Sequence, residues 1–246
     1  MSIFVQMHWH QCYTFDSKGE TMNKIPKYLY HYTTLDTLEL ILKNKTFRFN
    51  SLENVDDFEE KFTQDMGDFG KYCFVSCWTY SDEQNQDLWD RYTKGGKGVR
   101  IKLPVHPFQI YKCEDIKYNL YISGNIEKVR TGTFHNSIFR DGHLHDDYYF
   151  IEPEESFLCK VKYTDDTSLI YPKIENINEN IFFDFKNIGK YKNKKWKDQK
   201  EIRYHFLIIP LNENEIPYYI KNIDKLKDRI KEQRNLSIKY YDLDIN

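Results

Sequence analysis

Two segments far apart in the chain have the composition of buried β-strands, and they constrain the fold more than any other feature. Residues 71–80 (KYCFVSCWTY) are rich in the β-branched and aromatic side chains that strands favour. In residues 197–210 (KDQKEIRYHFLIIP), every second side chain from Ile202 to Ile208 is large and apolar, which is the period of a strand with one face in a core. Because helical patterns occur elsewhere in the chain, we predict an α+β fold.

Shorter patterns predict the other elements. In residues 33–45, Leu35, Leu38 and Ile41 fall on one helical face, and Thr33 or Thr34 can cap the helix. We predict further helices at residues 53–66, 82–94, 174–188 and 220–230, and further strands at residues 27–33, 46–52, 98–104, 156–163 and 237–245.

The chain shows no internal repeat and no linker rich in Pro, Gly or Ser. We therefore predict one domain over residues 25–246, preceded by an extension at residues 1–24, in which Met22 is an alternative start. Residues 107–157 have no clear period and are interpreted as an insertion or a recognition element.

The composition excludes several classes of protein. The chain has no alanine, 28 lysines against 8 arginines, 20 tyrosines and 17 phenylalanines, a bias typical of an A/T-rich genome. With 40% hydrophobic residues and a net charge of −2, it can bury a core, which argues against a disordered chain. The same charge excludes a wholly basic nucleic-acid-binding protein but leaves local basic patches open.

The sequence also suggests a location. No apolar run approaches the roughly 18 residues that span a bilayer, and residues 1–15 lack the features of a secretory signal. The five cysteines are scattered and odd in number, which is atypical of a disulfide framework. We therefore expect a cytoplasmic protein with no membrane partner.

Common catalytic and metal motifs are absent or weak. The run from Gly95 to Gly98 lacks the spacing of a phosphate-binding loop, and no G-x-S-x-G is present. Histidines and aspartates between His135 and Asp147 include metal-ligand types, but H-x-H in an unpatterned loop favours a solvated polar loop. We expect no metal.

A lysine-rich segment precedes the strand that begins at Glu201. Residues 186–200 contain seven lysines, interleaved with Tyr191 and Trp196. Such a run is usually a solvated loop, but lysines that pair with phosphates and rings that stack on bases also hold single-stranded nucleic acid.

The chain contains four segments, at residues 29–60, 73–103, 160–166 and 196–206, that taken in order resemble a widespread bacterial family of unknown function. Its marks are a strand-borne H-Y-T, an acidic N/D-D-x-x-E element, a V-S-C strand followed by a W-x-x-Y helix and a K-G-V strand, and a late W-x-x-x-x-E-x-R. The resemblance covers residues 28–209, with Asp56 where the family usually has Asn and Phe58 where it usually has Pro.

That layout is similar to the ADP-ribosyltransferase fold of the diphtheria-toxin and PARP type, a split β-sandwich with flanking helices. The resemblance implies that His31 fixes NAD, that Ser76 belongs to the region that holds the nicotinamide, and that Glu201 engages the nicotinamide ribose. Gln199, two residues before Glu201, gives a Q-x-E sequence that resembles the acceptor-side motif of some transferases. Tyr32, Trp89, Tyr92 and Arg203 are further NAD-binding candidates, with Arg48 and Arg100 as alternative pyrophosphate donors, and Lys192, Lys194, Lys195 and Trp196 are candidates for contacting the acceptor.

The resemblance thus implies an NAD-dependent mono-ADP-ribosyltransferase that acts on a macromolecular acceptor, either protein or nucleic acid (RNA or DNA). A role as a toxin or anti-phage effector, with an antitoxin or sensor partner, would be typical of that superfamily. Two alternatives remain: a non-catalytic nucleotide or nucleic-acid sensor on the same fold, and an NAD glycohydrolase.

Overall fold

The computed structural model describes residues 26–120, 126–142, 145–151, 157–178 and 180–246. The expected extension at residues 1–24 lies outside these ranges.

The described chain is a single domain of mixed α and β structure. Its strands are β1 (Tyr28–Thr34), β2 (Thr46–Ser51), β3 (Cys73–Thr79), β4 (Gly98–Pro104), β5 (Tyr111–Leu120), β6 (Ile126–Ser137), β7 (Tyr149–Ile151), β8 (Leu158–Lys160), β9 (Lys162–Thr164), β10 (Glu175–Asn178), β11 (Asn180–Phe183), β12 (Tyr191–Asn193), β13 (Glu201–Ile209) and β14 (Tyr240–Asp244). Its helices are α1 (Leu35–Asn44), α2 (Gln86–Tyr92), α3 (Thr167–Ile170), α4 (Ile216–Lys221) and α5 (Ile223–Lys231).

The central sheet is antiparallel and is organised around β3 and β13. These two strands pair along their length, from Glu201 opposite Thr79 to Leu207 opposite Cys73. On its other side, β3 pairs with β2 near Val75 and with β1 at Thr79, so the sheet divides there into the pair β14–β2 and the pair β1–β4. The outer side of β13 carries β7 and β8.

The two strands predicted most firmly from the sequence form this centre. Every residue of β13 is buried, so both of its faces are covered. The alternating residues Ile202, Tyr204 and Phe206 pack with Trp78 in an aromatic core, where the rings of Phe74 and Phe206 stack 6.1 Å apart. The predicted α+β class is confirmed at this level.

Capping side chains mark the starts of the first two helices. The Thr34 side chain accepts a hydrogen bond from the backbone N–H of Thr37 at the start of α1, and Asn85 does the same for Leu88 in α2. The helix α2 thus follows β3 after the connecting residues 80–85, with Tyr92 at its last position.

Two predicted helices are wrong. Residues 53–66 form only short 3₁₀ turns at 52–54 and 58–61, because side chains such as Asp57, which accepts from the backbone of Glu59, compete with helical hydrogen bonding. Residues 175–178 and 180–183 form the strand pair β10–β11, in which the β propensity of the Ile and Phe run prevails over a helical spacing.

The unpatterned region 107–157 contains a long antiparallel ribbon of β5 and β6, followed by β7 on the central sheet. Cys113 near its base donates to the carbonyl of Phe139, a residue of the aromatic core. Among the described residues, none of the helices has both the length and the apolar character needed to cross a membrane.

Candidate functional site

Four charged side chains are buried together on one face of the central sheet. Arg203 is completely enclosed, and the side chains of Glu60, Lys192 and Glu201 are at most 5% exposed. These four residues are called the charged cluster below. Two carboxylates and two cations give it no net charge, which is the condition under which buried charges are tolerated.

Arg203 and Lys192 each bridge the two carboxylates. The guanidinium of Arg203 donates to both oxygens of Glu60 and, through Nε at 2.9 Å, to Oε1 of Glu201. The ammonium of Lys192 lies 3.1 Å from Oε1 of Glu60 and 3.0 Å from Oε2 of Glu201. Each carboxylate is therefore paired with both cations, and Glu201 accepts a charge-assisted hydrogen bond from each of them.

Three separate parts of the fold supply the cluster. Glu201 begins β13, and Arg203 lies two residues later on the same face of that strand. Glu60 comes from the 3₁₀ turn at 58–61. Lys192 is the middle residue of β12, which pairs in parallel with β9.

A hydrogen-bonded chain connects the cluster to the surface. Lys192 Nζ donates to Oε1 of Gln199 at 3.1 Å, and Gln199 Nε2 donates to the hydroxyl of Tyr92 at 3.2 Å. The Tyr92 hydroxyl in turn donates to Asp56 at 2.6 Å. Tyr92 is 36% exposed and Asp56 is also exposed, so a ligand in solution can reach the outer end of this series of hydrogen bonds.

The electrostatics of Glu201 suit a permanent negative charge. Burial by itself would raise the pKa of Glu201, but Arg203 and Lys192 overcome that effect and lower it to about 2. The Cys77 thiol, which faces the same carboxylate, has its pKa raised well above its ordinary value by burial and by Glu201. Glu201 is therefore ionised at neutral pH, and Cys77 is a neutral thiol.

The site gathers motifs that are far apart in the sequence. The acidic D-D-x-x-E element supplies Asp56 and Glu60, the W-x-x-Y helix supplies Tyr92, and the late E-x-R supplies Glu201 and Arg203. Sequence reasoning missed Glu60, Asp56 and Cys77 as site residues. The signal for Glu60 and Asp56 was the acidic D-D-x-x-E element, which belongs to the same set of motifs as Tyr92, Glu201 and Arg203.

The structure does not bring His31 to this face. Tyr30 pairs with Thr79, which in turn pairs with Glu201, so Tyr30 shares the face of Glu201 and His31 projects to the other one. The His31 ring packs against Phe47 and Trp78, and its Nδ1 donates to the carbonyl of Cys77 where the sheet divides. Burial lowers the pKa of His31, as expected for a neutral core imidazole.

Ser76 also lies on the aromatic face and accepts a hydrogen bond from Trp78 Nε1 at 3.0 Å. His31 and Ser76 therefore both lie on the face of the sheet opposite to that of Glu201. Among the NAD-binding candidates, Tyr32 and Trp89 contact one another edge to face, with ring centroids 5.2 Å apart. The Tyr32 hydroxyl accepts from the backbone of Asn85, just before α2.

The lysine-rich segment is largely paired with acidic side chains. Lys194 lies 2.8 Å from Asp165, and Lys195 lies 3.2 Å from Glu59. The expected acceptor contact Lys192 is instead enclosed in the charged cluster. The Trp196 ring lies between cations, with Lys192, Lys195 and Arg91 each within 6 Å of its centroid.

The arginine candidates for a pyrophosphate have other contacts in this structure. Arg203 is fully enclosed in the charged cluster. Arg48 makes a two-pronged ion pair with Asp242, and Arg100 stacks on Tyr30 with its guanidinium 3.8 Å from the ring centroid.

No group of three or more potential metal ligands occurs among the described residues. His135 pairs with Asp115 at 2.6 Å, and the ring of His145 stacks on Tyr148. His143, the middle histidine of the sequence cluster, lies outside the described ranges.

No family model matches this chain, and no curated protein or solved structure shows significant similarity to it. The functional argument therefore depends on the geometry of the charged cluster and on the motifs that form it.

Proposed function

We propose that this chain is an NAD-dependent mono-ADP-ribosyltransferase whose catalytic carboxylate is Glu201. The observation that carries the proposal is the hydrogen-bonded line from Glu201 through Lys192 and Gln199 to Tyr92. It joins the strand-initial glutamate, the Q-x-E residue and the aromatic residue of the W-x-x-Y helix, three elements that the resemblance assigns to one site. The divided sheet around β3 further supports an ADP-ribosyltransferase-like split β-sandwich.

The electrostatics of Glu201 match the demands of this reaction. The bond between the nicotinamide nitrogen and the ribose C1′ breaks with its electron pair leaving on nicotinamide, and an acceptor nucleophile forms the new bond to C1′. Positive charge develops on the ribose in between, and a fixed carboxylate stabilises it. Because the pKa of Glu201 is about 2, the carboxylate carries its charge without having to lose a proton first.

Tyr92 and Gln199 complete the proposed substrate site. The exposed Tyr92 ring offers a stacking surface for nicotinamide. Gln199 lies between Tyr92 and the cluster, where its amide can meet the acceptor. The acidic partners of Lys194 and Lys195 neutralise part of the lysine-rich segment, which favours a protein acceptor over RNA or DNA.

A second candidate function is non-catalytic nucleotide binding on the same surface. Two observations favour it: both oxygens of Glu201 already have cationic partners, and His31 lies on the opposite face of the sheet. A sensor of this kind would bind NAD or a related nucleotide at Tyr92 without releasing nicotinamide.

The test is incubation of the purified chain with NAD labelled in its adenylate part, together with lysate protein, RNA or DNA, with nicotinamide release measured in parallel. We expect Glu201→Gln to lower both label transfer and nicotinamide release by about 100-fold or more, because it removes a charge that acts on the transition state. Glu215→Gln is the matched control, since Glu215 pairs with Arg229 outside the cluster.

Equal activity in the wild type and Glu201→Gln would reject the transferase proposal. NAD binding without nicotinamide release, retained in Glu201→Gln, would instead support the sensor.

A further inference from the structure

Lys192 differs from the other lysines of its segment because its ammonium is buried among three acceptor groups. It has three N–H donors, and three acceptors surround it: Glu60 at 3.1 Å, Glu201 at 3.0 Å and Gln199 at 3.1 Å. The side chain is 3% exposed. The ammonium is enclosed and already donates to Glu201 and Gln199, so Lys192 is unsuited to the acceptor contact expected from its place in the sequence.

The backbone around Lys192 also holds Glu201. Lys192 in β12 is the register partner of Tyr163 in β9. The Tyr163 hydroxyl accepts a hydrogen bond from the backbone N–H of Glu201 at 2.8 Å, while Lys192 donates to the carboxylate of the same residue. One pair of neighbouring residues thus fixes both the main chain and the side chain of Glu201.

We propose that Lys192 is a positioning residue that holds the carboxylate of Glu201 and the amide of Gln199 in one fixed arrangement for ribosyl transfer. The proposal rests on the function proposed above and assigns Lys192 a role inside the protein instead of at the acceptor.

The role follows from what Lys192 joins. Gln199 connects onward to Tyr92, which is exposed, whereas Glu201 is buried. Without the ammonium, Gln199 and Glu201 lose their shared partner, and Arg203 is left as the one cation bridging Glu60 and Glu201 within the cluster. A small displacement of a catalytic group costs much of its effect, because reaction depends on orientation.

The test compares Lys192→Met and Lys192→Arg with Lys227→Met, which removes a lysine paired with Glu175 outside the cluster. Nicotinamide release is measured from pH 4 to 9, and folding is checked by urea unfolding. We expect Lys192→Met to lower kcat by about 10- to 100-fold with little change in KM. Its rate should also fall at acidic pH, because loss of the ammonium raises the pKa of Glu201.

Lys192→Arg keeps the positive charge, so it should lack that acidic loss even if its rate is reduced. Wild-type kcat and pH profile in folded Lys192→Met would overturn the proposal. Loss of transfer to the acceptor with unchanged nicotinamide release would also overturn it, because that result marks a direct acceptor contact.

A second measurement separates this inference from the proposed function. If the wild type releases no nicotinamide, the transferase proposal fails, but the position of Glu201 can still be followed. In protein labelled with ¹³C at the glutamate carboxyl carbon, the Glu201 signal is assigned by its loss in Glu201→Gln. We expect its titration midpoint to rise by about one pH unit or more in Lys192→Met and to stay unchanged in Lys227→Met. An unchanged midpoint in Lys192→Met would overturn the inference.

Discussion

The two faces of β13 are built from neighbouring residues but depend on different forces. One face presents Tyr204 and Phe206 to an aromatic core, where many rings meet edge to face or stacked. The other presents Glu201 and Arg203 to the charged cluster. Both faces are buried. Burial stabilises the aromatic rings on one face, but it carries a desolvation cost for the charges on the other.

This difference affects how each face tolerates change. Apolar burial contributes in proportion to the area removed from water, and a core with one altered ring keeps most of that gain. A buried ion pair balances a large desolvation cost against its Coulomb energy, so it fails sharply when one partner is lost. The charged face is therefore the specific and fragile side of the strand, and the aromatic face is the robust one.

The largest expected effect is that of Arg203→Met. The substitution leaves Glu60 and Glu201 buried with Lys192 as the remaining cation of the cluster, and we expect a loss of about 3–5 kcal/mol in the free energy of unfolding. Tyr204→Phe is the comparison on the aromatic face. It removes a hydrogen bond to the carbonyl of Val105 and should cost about 1 kcal/mol. Urea unfolding measures both, and equal losses would contradict the distinction between the faces.

Between pH 6.5 and 4.5, titration of the charged face should give an intermediate effect. Burial lowers the pKa of His205 from 6.5 to about 3. Below pH 6.5 the unfolded chain binds a proton at this histidine and the folded protein does not, so the free energy of unfolding falls by about 1.4 kcal/mol per pH unit as pH decreases toward 3. His205→Gln should remove this slope, as measured by urea unfolding between pH 7 and 3.

Glu201 provides a check with a lower pH window. Its pKa is lowered from 4.5 to about 2, so the stability it contributes is present above pH 4.5 and is lost as pH falls toward 2. Glu201→Gln should therefore leave the slope between pH 6.5 and 4.5 intact. If His205→Gln changed the slope only below pH 4.5, the buried neutral state of His205 would be refuted.

The smallest expected effect lies at the exposed edge of the charged face. Lys195 pairs with Glu59, but both side chains are more than a third exposed. Solvent screens such a pair, so Lys195→Gln should change the free energy of unfolding by less than about 0.5 kcal/mol. A cost as large as that of Arg203→Met would show that the lysine-rich segment acts as one unit with the buried cluster.

The sequence predicted the central strands because their pattern is local. Alternation from Ile202 to Ile208 is sufficient to define a strand and its aromatic face, and it places Glu201 and Arg203 together on the opposite face. The capping side chain of Thr34 likewise predicts the start of α1 from adjacent residues.

The remaining features depend on contacts between distant parts of the chain. The face on which His31 lies is set by the pairing of Tyr30 with Thr79, which no local pattern contains. Lys192 resembles its neighbours in the lysine-rich segment, and only the parallel pairing of β12 with β9 buries it. Glu60 lies in a run that predicted a helix, whereas its contact with Arg203 requires a turn.

The thiol of Cys77 gives the charged face a chemical reporter. Its high pKa keeps it in the thiol form, which is a poor nucleophile toward alkylating reagents at neutral pH. If the strands around Glu201 separate, the thiol meets water, its pKa returns toward the ordinary value and its alkylation accelerates. The alkylation rate of Cys77 would then report how often this part of the sheet opens in the folded protein.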